Sequence, residues 1–182
     1  MPDELHPIYD ARLAELAIAV FDLETTGLHA HRDAIIQVAA VKVDQGAIGA
    51  EWMDYINPGE PHRPISDFIS GFTGIKDRQL DDAPTLKQAM RKFNEFVETR
   101  IVAGHNIASF DLNFIRRAET KTGIDVQSHY YIDTLKLMRR LHPELAGKKL
   151  VDCGNYYEIE FNEGNLHDAL ADTRLGARVN IG

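Results

Sequence analysis

The sequence predicts an α/β fold with a mixed sheet and helices on both faces. Three observations carry this: near-continuous apolar runs of strand length, amphipathic stretches with helical period, and an order of three strands followed by helix, strand, helix, strand and further helices. That interleaving argues against an all-β barrel and against a helical bundle. The 182 residues suit one domain, expected over 1–182 with a leader at 1–15 and a core from about 16 to 180. No repeat, low-complexity tract or Gly/Ser linker offers a boundary.

Each element has its own signature. Ala17 to Glu24 is almost wholly apolar until its last residues, the pattern of a central buried strand, and Thr25-Thr26-Gly27 turns the chain. Ala34 to Val43 and Glu51 to Ile56 complete an antiparallel meander, with Asp44-Gln45-Gly46 as the turn between them and Asn57-Pro58-Gly59 closing it. From Pro61 to Pro84 the chain is rich in turn residues, with a short helix over Pro64 to Gly71. Thr85 to Glu98 carries Leu86, Ala89, Met90, Phe93 and Val97 on one helical face. Ile101-Val102-Ala103 is a short buried strand. Ser109 is the expected N-cap of a helix with Phe110, Phe114 and Ala118 on one stripe, closed by Gly123. Tyr130 to Ile132 is a fifth strand, and Thr134 to Leu141, Leu150 to Tyr157 and Leu166 to Val179 are further helices.

Composition excludes several classes. With 28 acidic against 20 basic residues the net charge is −8, which disfavours nonspecific coating of nucleic acid, since that affinity comes from Lys and Arg neutralising phosphates. An enzyme that bridges phosphate through bound cations escapes this objection, because its excess carboxylates become the metal site. The single cysteine, Cys153, has no intrachain partner, which points to a reducing compartment, and the expected location is the cytoplasm. Leu16 to Phe21 is far shorter than the roughly 20 apolar residues of a bilayer span. The acidic leader lacks the basic start of a secretory signal, so no membrane partner is expected.

Asp22 and Glu24 stand two apart on the first strand and leave the same face near its carboxyl end, where α/β folds place ligands. Two like charges buried together require compensation, and a divalent cation with oxygen preference is the most economical. A solvent-facing pair at a strand end is the alternative. Asp111 follows the fourth strand through the loop Gly104-His105-Asn106-Ile107-Ala108-Ser109-Phe110; alone it reads equally as a first-turn acid complementing a helix dipole. His167 and Asp172 are five apart and would diverge by about 140° on one helix at about 100° per residue, so His167 converges only from the loop before it. Asp168, about 40° from Asp172 by the same count, competes as a ligand.

Three segments occur in order: Phe21-Asp22-Leu23-Glu24-Thr25-Thr26-Gly27, then Gly104-His105-Asn106 with Phe110-Asp111, then His167 through Asp172. Together they resemble the three exonuclease motifs of the DEDD superfamily. The histidine five before the last aspartate resembles the DEDDh branch, and the likeness, from about Ile18 to Arg178, extends to the epsilon-type proofreading exonuclease domains of bacterial DNA polymerase III. Ile69 to Ile75 with Asp82-Ala83-Pro84 resembles the segment such domains carry between the first two motifs.

The resemblance implies a ribonuclease H-like fold, a five-stranded mixed sheet flanked by helices. It implies that Asp22, Glu24, Asp111 and Asp172 hold two Mg²⁺ or Mn²⁺ ions, with His167 as general base, and that 5′-mononucleotides leave a 3′ end. The backbone around Glu24 and Thr25 would meet the terminal 3′-OH, and Thr26 and Leu28 would wedge against the last bases. His105 and Asn106 match the second motif's flank; they support the phosphate or the carboxylates, or His105 is a satisfied core histidine. Phe110 is expected to pack rather than to stack on a base. The basic residues Lys136, Arg139, Arg140, Lys148 and Lys149 steer a backbone or form a solvated helix face, and His29 and His31 are expected on a plain surface. The substrate this implies is DNA, single-stranded or frayed, with RNA ends as the alternative and a non-catalytic binding module as the rival class. A polymerase is a possible partner, although the C-terminal segment through which the epsilon family attaches does not follow before Gly182.

Overall fold

The apolar run at the first strand lies inside a sheet, with strands hydrogen-bonded on both its sides. The computed structural model describes residues 6–7, 15–128, 130–161 and 168–181. In it β2 (Ala17–Thr25) pairs antiparallel with β3 (Ile35–Asp44), which pairs antiparallel with β4 (Ala47–Tyr55). On the other side β5 (Ile101–Gly104) runs parallel to β2, and β6 (Tyr130–Asp133) parallel to β5. These five strands form the expected mixed sheet. A two-residue β1 (His6–Pro7) adds a parallel edge beyond β6, giving the order β1-β6-β5-β2-β3-β4, so part of the expected leader joins the sheet.

The meander turns as expected. Asp44 faces Ala47 across a two-residue connection in which Gln45 and Gly46 both have positive φ, the hairpin geometry whose twist matches the strands. The third meander strand begins at Ala47, four residues before the expected Glu51. Ala47 to Ala50 are exposed and include Gly49, so they carry no apolar pattern, yet their backbone pairs with β3.

The helices are α1 (Asp67–Thr73), α2 (Asp77–Leu80), α3 (Leu86–Val97), α4 (Asp111–Thr122), α5 (Thr134–Leu141), α6 (Leu150–Tyr156) and α7 (Ala169–Ile181). The short helix expected over Pro64 to Gly71 lies slightly later: the Ser66 hydroxyl accepts from the Ile69 N–H and starts α1, and Gly74 closes it with φ of 75°. Ser109 does not cap α4. Phe110 occupies that position without a side-chain cap, because Leu112 N–H already donates to the Ile107 carbonyl and Asn113 N–H to that of Phe110. Gly123 closes α4 as expected, with φ of 69°. The last helix begins at Ala169; the expected start, Leu166, lies outside the described residues.

Alternation along β2 divides the core. Ala19, Phe21 and Leu23 pack against α3 and α4, where Phe93 meets Phe21 edge-on at 5.4 Å between ring centroids. Ile18 and Val20 pack on the opposite face with Ala177 of α7. Full burial of an aromatic such as Phe93 is worth about 1.5–3 kcal/mol, and burial on both faces explains why β2 is apolar without interruption up to Asp22. Among the described residues, no helix is long and apolar enough to cross a membrane.

Candidate active site

The face of β2 that packs under α7 runs Ile18, Val20, Asp22, Glu24, so the period that buries two aliphatic residues also places both carboxylates at the strand's carboxyl end. α7 lies across β2 and β3 and brings Asp172 to the pair: ligand oxygens of Asp22, Glu24 and Asp172 all lie within 4.8 Å of one another. The start of α7 is tethered to the sheet, since Ala169 N–H donates at 3.4 Å to Oε1 of the buried Gln37, which sits opposite Glu24 in β3. Asp168 uses a carboxylate oxygen to accept the Ala171 N–H at 3.0 Å. The geometry thus brings Asp172, rather than Asp168, to the strand carboxylates. Asp111 opens α4, is almost fully buried, and stands outside the 4.8 Å triad.

Like charges dominate this region. Burial, then the charge of Asp172, then Asp111 and Asp168, push the Glu24 carboxyl up to about 8. Burial followed by the charges of Asp111, Glu24, Asp172 and Asp168 holds Asp22 well above the usual carboxylate range. Asp111 rises to about 7 through burial, although hydrogen bonds from its own and the Leu23 backbone N–H oppose this. Its Oδ1 is buried with no hydrogen-bond partner among the described residues. An orphaned oxygen beside three converging carboxylates is a donor set that suits a hard divalent cation.

The turn after β2 is built from its own side chains. Thr25 Oγ donates to the Gly27 carbonyl at 2.6 Å, Ala34 N–H donates to Thr26 Oγ at 2.9 Å, and His29 N–H donates to Asp33 Oδ2 at 2.8 Å. A Cβ on Gly27 would lie 2.6 Å from the Asp33 carboxylate, so a side chain there would displace that carboxylate from the turn. The turn and α1 enclose a cavity of about 600 Å³ whose walls include Asp22, Glu24, Thr25, Thr26, Leu28 and Asp172.

The structure does not bring every expected residue there. His167 lies outside the described residues. His105 and Asn106 do not line the cavity. Asn106 has φ of 65° and its N–H donates to Asp133 Oδ1 at 3.2 Å. Burial pushes the His105 ring down, while its hydrogen bond to the Lys148 backbone and the charge of Asp133 act the other way. Phe110 packs against Phe114 at 5.1 Å between centroids while still reaching the cavity wall. None of Lys136, Arg139, Arg140, Lys148 and Lys149 lines the cavity either.

Two features escaped sequence reasoning. Phe68 and Phe72, four apart on α1, stack at 6.2 Å and 10° between planes, line the cavity and are 77% and 50% exposed, as Leu28 is at 77%. Their i, i+4 spacing was a visible signal, but turn residues around it hid a helix only seven residues long. Asp133, buried at the end of β6, accepts the N–H groups of Asn106, Ala108 and Lys136 and thereby ties the loop before Asp111 to the start of α5.

Comparison with known proteins follows the same lines. A family model described as exonuclease, RNase_T, matches residues 19–179. The DNA polymerase III PolC-type of Bacillus subtilis (strain 168) is 40% identical over 166 residues, covering 91% of this chain and 11% of that protein. That of Bacillus cereus is 40% identical over 161 residues, covering 88% and 11%. The chain therefore spans about a tenth of the length of these curated relatives. Among solved structures, E. coli exonuclease I in complex with a dT13 oligonucleotide has a TM-score of 0.77 at 21% identity, over 91% of this chain and 40% of that one. Exonuclease I from Methylocaldum szegediense has 0.74 at 21% identity, over 91% and 40%. The shared fold is ribonuclease H-like.

Proposed function

Because the chain belongs to the exonuclease family, we propose that it removes 5′-mononucleotides from the 3′ ends of DNA, single-stranded or frayed, in a metal-dependent hydrolysis. The observation that carries this reading is the convergence of Asp22, Glu24 and Asp172 at one end of β2, with buried Asp111 close enough to raise the proton affinity of Asp22 and Glu24. These four residues would hold two Mg²⁺ or Mn²⁺ ions. When bound, such ions polarise a phosphodiester and lower the pKa of water. The protein's own groups do the rest. In their ionised form the four carboxylates would hold the ions, the turn at Thr25 and Thr26 would position the terminal nucleoside, and Leu28 would lie beside the last base. His167, five residues before Asp172, takes the proton of the attacking water, a role suited to an imidazole near neutral pH. The exposed rings of Phe68 and Phe72 offer unstacked bases an apolar surface, which favours single strands over paired ends.

The polymerase relatives support DNA over RNA as substrate, and proofreading beside a polymerase partner as the setting. Matched 3′-labelled and 5′-labelled DNA and RNA oligonucleotides, incubated with Mg²⁺, Mn²⁺ or EDTA, test this. Mononucleotide release from DNA 3′ ends that needs metal and falls at least about 10²-fold in His167→Ala is the expected result. Faster cleavage of RNA would move the substrate, and no cleavage with any metal would leave a binding module.

A further inference from the structure

A second cavity, of about 560 Å³, adjoins the first and shares Leu28, His29 and Phe110 with it. Its walls come from the turn after β2 and from the exposed side of α4, and they carry Arg116 and Arg117 together with His29 and His31. No aspartate or glutamate lines it, although the chain as a whole has 28 of them against 20 basic residues. Arg116 is solvent-exposed. Arg117 is half-buried, and its Nε is buried without a hydrogen-bond partner among the described residues. Neither arginine forms an ion pair within 4 Å among the described residues, whereas Arg63, Arg100 and Arg174 do.

A cationic cleft beside an anionic one is what a polyanion held at a metal site requires: the carboxylates need cations before they accept a phosphate, but nucleotides farther up the strand need direct positive charge. We propose that this second cleft is the track for the upstream nucleotides of a single strand, with Arg116 and Arg117 contacting the backbone phosphates that follow the scissile one and Leu28 and Phe110 forming the threshold between the two cavities. The inference rests on the exonuclease reading for the direction of the strand. It moves the backbone contacts away from the basic residues after the fifth strand, which line neither cavity. It also gives the histidines of the 29–31 loop, which sequence reasoning left on a plain surface, a place along the track.

The test uses 5′-fluorescein oligothymidylates of two, four and eight nucleotides. Binding is read by anisotropy in Ca²⁺ and cleavage in Mg²⁺, for the wild type, Arg116→Glu, Arg116→Lys and Arg117→Lys. In the wild type, affinity should rise with length. In Arg116→Glu the eight-nucleotide strand should bind at least about tenfold more weakly, with the ratio of long-strand to dinucleotide affinity collapsing, while Arg116→Lys retains most of it. The slope of log affinity against log salt should fall by about 0.7 for each phosphate contact removed. A loss in Arg116→Glu that is equal at all lengths, or no loss at all, overturns the track. Arg117→Lys keeps the charge where Arg117→Glu would put an acid into a half-buried position; retention of folding but loss of long-strand affinity supports a fork-shaped contact there. If length-dependent binding needs Arg116 but nothing is cleaved, the track stands and the exonuclease reading falls. If cleavage proceeds without regard to Arg116, the reverse holds.

Discussion

At the scale of single residues, the carboxylates of the site are in tension with the fold that holds them. Glu24 titrates near 8 and Asp111 near 7 in the folded chain, against ordinary values of 4.5 and 3.8. Between those limits the folded protein binds more protons than the unfolded one, so stability is fully present below about pH 4 and is lost as pH rises through 7 and 8. Thermal melting in EDTA should therefore show the melting temperature falling from pH 5 to pH 8, and Mg²⁺ or Mn²⁺ should reverse most of that fall; a flat profile in EDTA would contradict the burial and mutual repulsion described here. Asp172→Asn removes one charge at nearly constant volume. It should raise metal-free stability at pH 8 by about 1–3 kcal/mol, read by urea denaturation, and at the same time lower cleavage by at least about 10³-fold. A residue whose removal stabilises the protein and abolishes activity is held there for chemistry.

At the scale of elements, the loop from β5 to α4 determines where Asp111 stands, and one buried side chain organises it. Asp133 accepts from Asn106 at 3.2 Å, from Ala108 at 3.1 Å and from Lys136 at 3.2 Å. Asp133→Ala leaves those N–H groups without their acceptor and should cost about 1–3 kcal/mol per donor that water cannot reach. Its catalytic effect should exceed that of Asp133→Asn, which keeps a carbonyl acceptor, and comparison of kcat for the two variants checks this. Gly104 has a parallel role. A Cβ there would lie 2.7 Å from the Phe21 carbonyl oxygen and 2.4 Å from Ile107 Cγ2, so Gly104→Ala must push the loop away from the middle of β2. We expect a loss of about 1–3 kcal/mol in denaturant, with activity falling along with it.

At the scale of the whole molecule, a chain of net charge −8 acts on a polyanion only if positive charge is concentrated where the strand lies. The carboxylate cluster faces one cavity and Arg116 and Arg117 the next, so a strand lying along both would make few and local backbone contacts. Single-strand affinity should accordingly depend weakly on monovalent salt, with a log–log slope of magnitude about 1.5–3, equal to two to four phosphates at about 0.7 each. Anisotropy titrations between 50 and 200 mM salt decide it, and a slope steeper than about −4 would require more phosphate contacts than Arg116 and Arg117 can supply.

Much of this was legible in the residues themselves. Apolar continuity identified β2 as buried on both sides, period-2 spacing put Asp22 and Glu24 on one face, helical spacing identified α3 and α4, and motif order linked Asp111 and Asp172 to them. The strand at Ala47 to Ala50 was hidden because backbone pairing, not side-chain burial, makes it a strand. The choice between Asp168 and Asp172 had to wait for α7 to be laid across the sheet, since angles along one helix do not say which face meets β2. Phe68 and Phe72, Asp133, and the cleft of Arg116 and Arg117 belong to the same class. Asp133 holds Asn106 and Ala108 from 27 and 25 positions away, and the others act through open cavities; local pattern encodes neither. Sequence periodicity determined which residues share a face, because that follows from backbone geometry alone; tertiary structure decided which faces meet, because that depends on how separate elements pack.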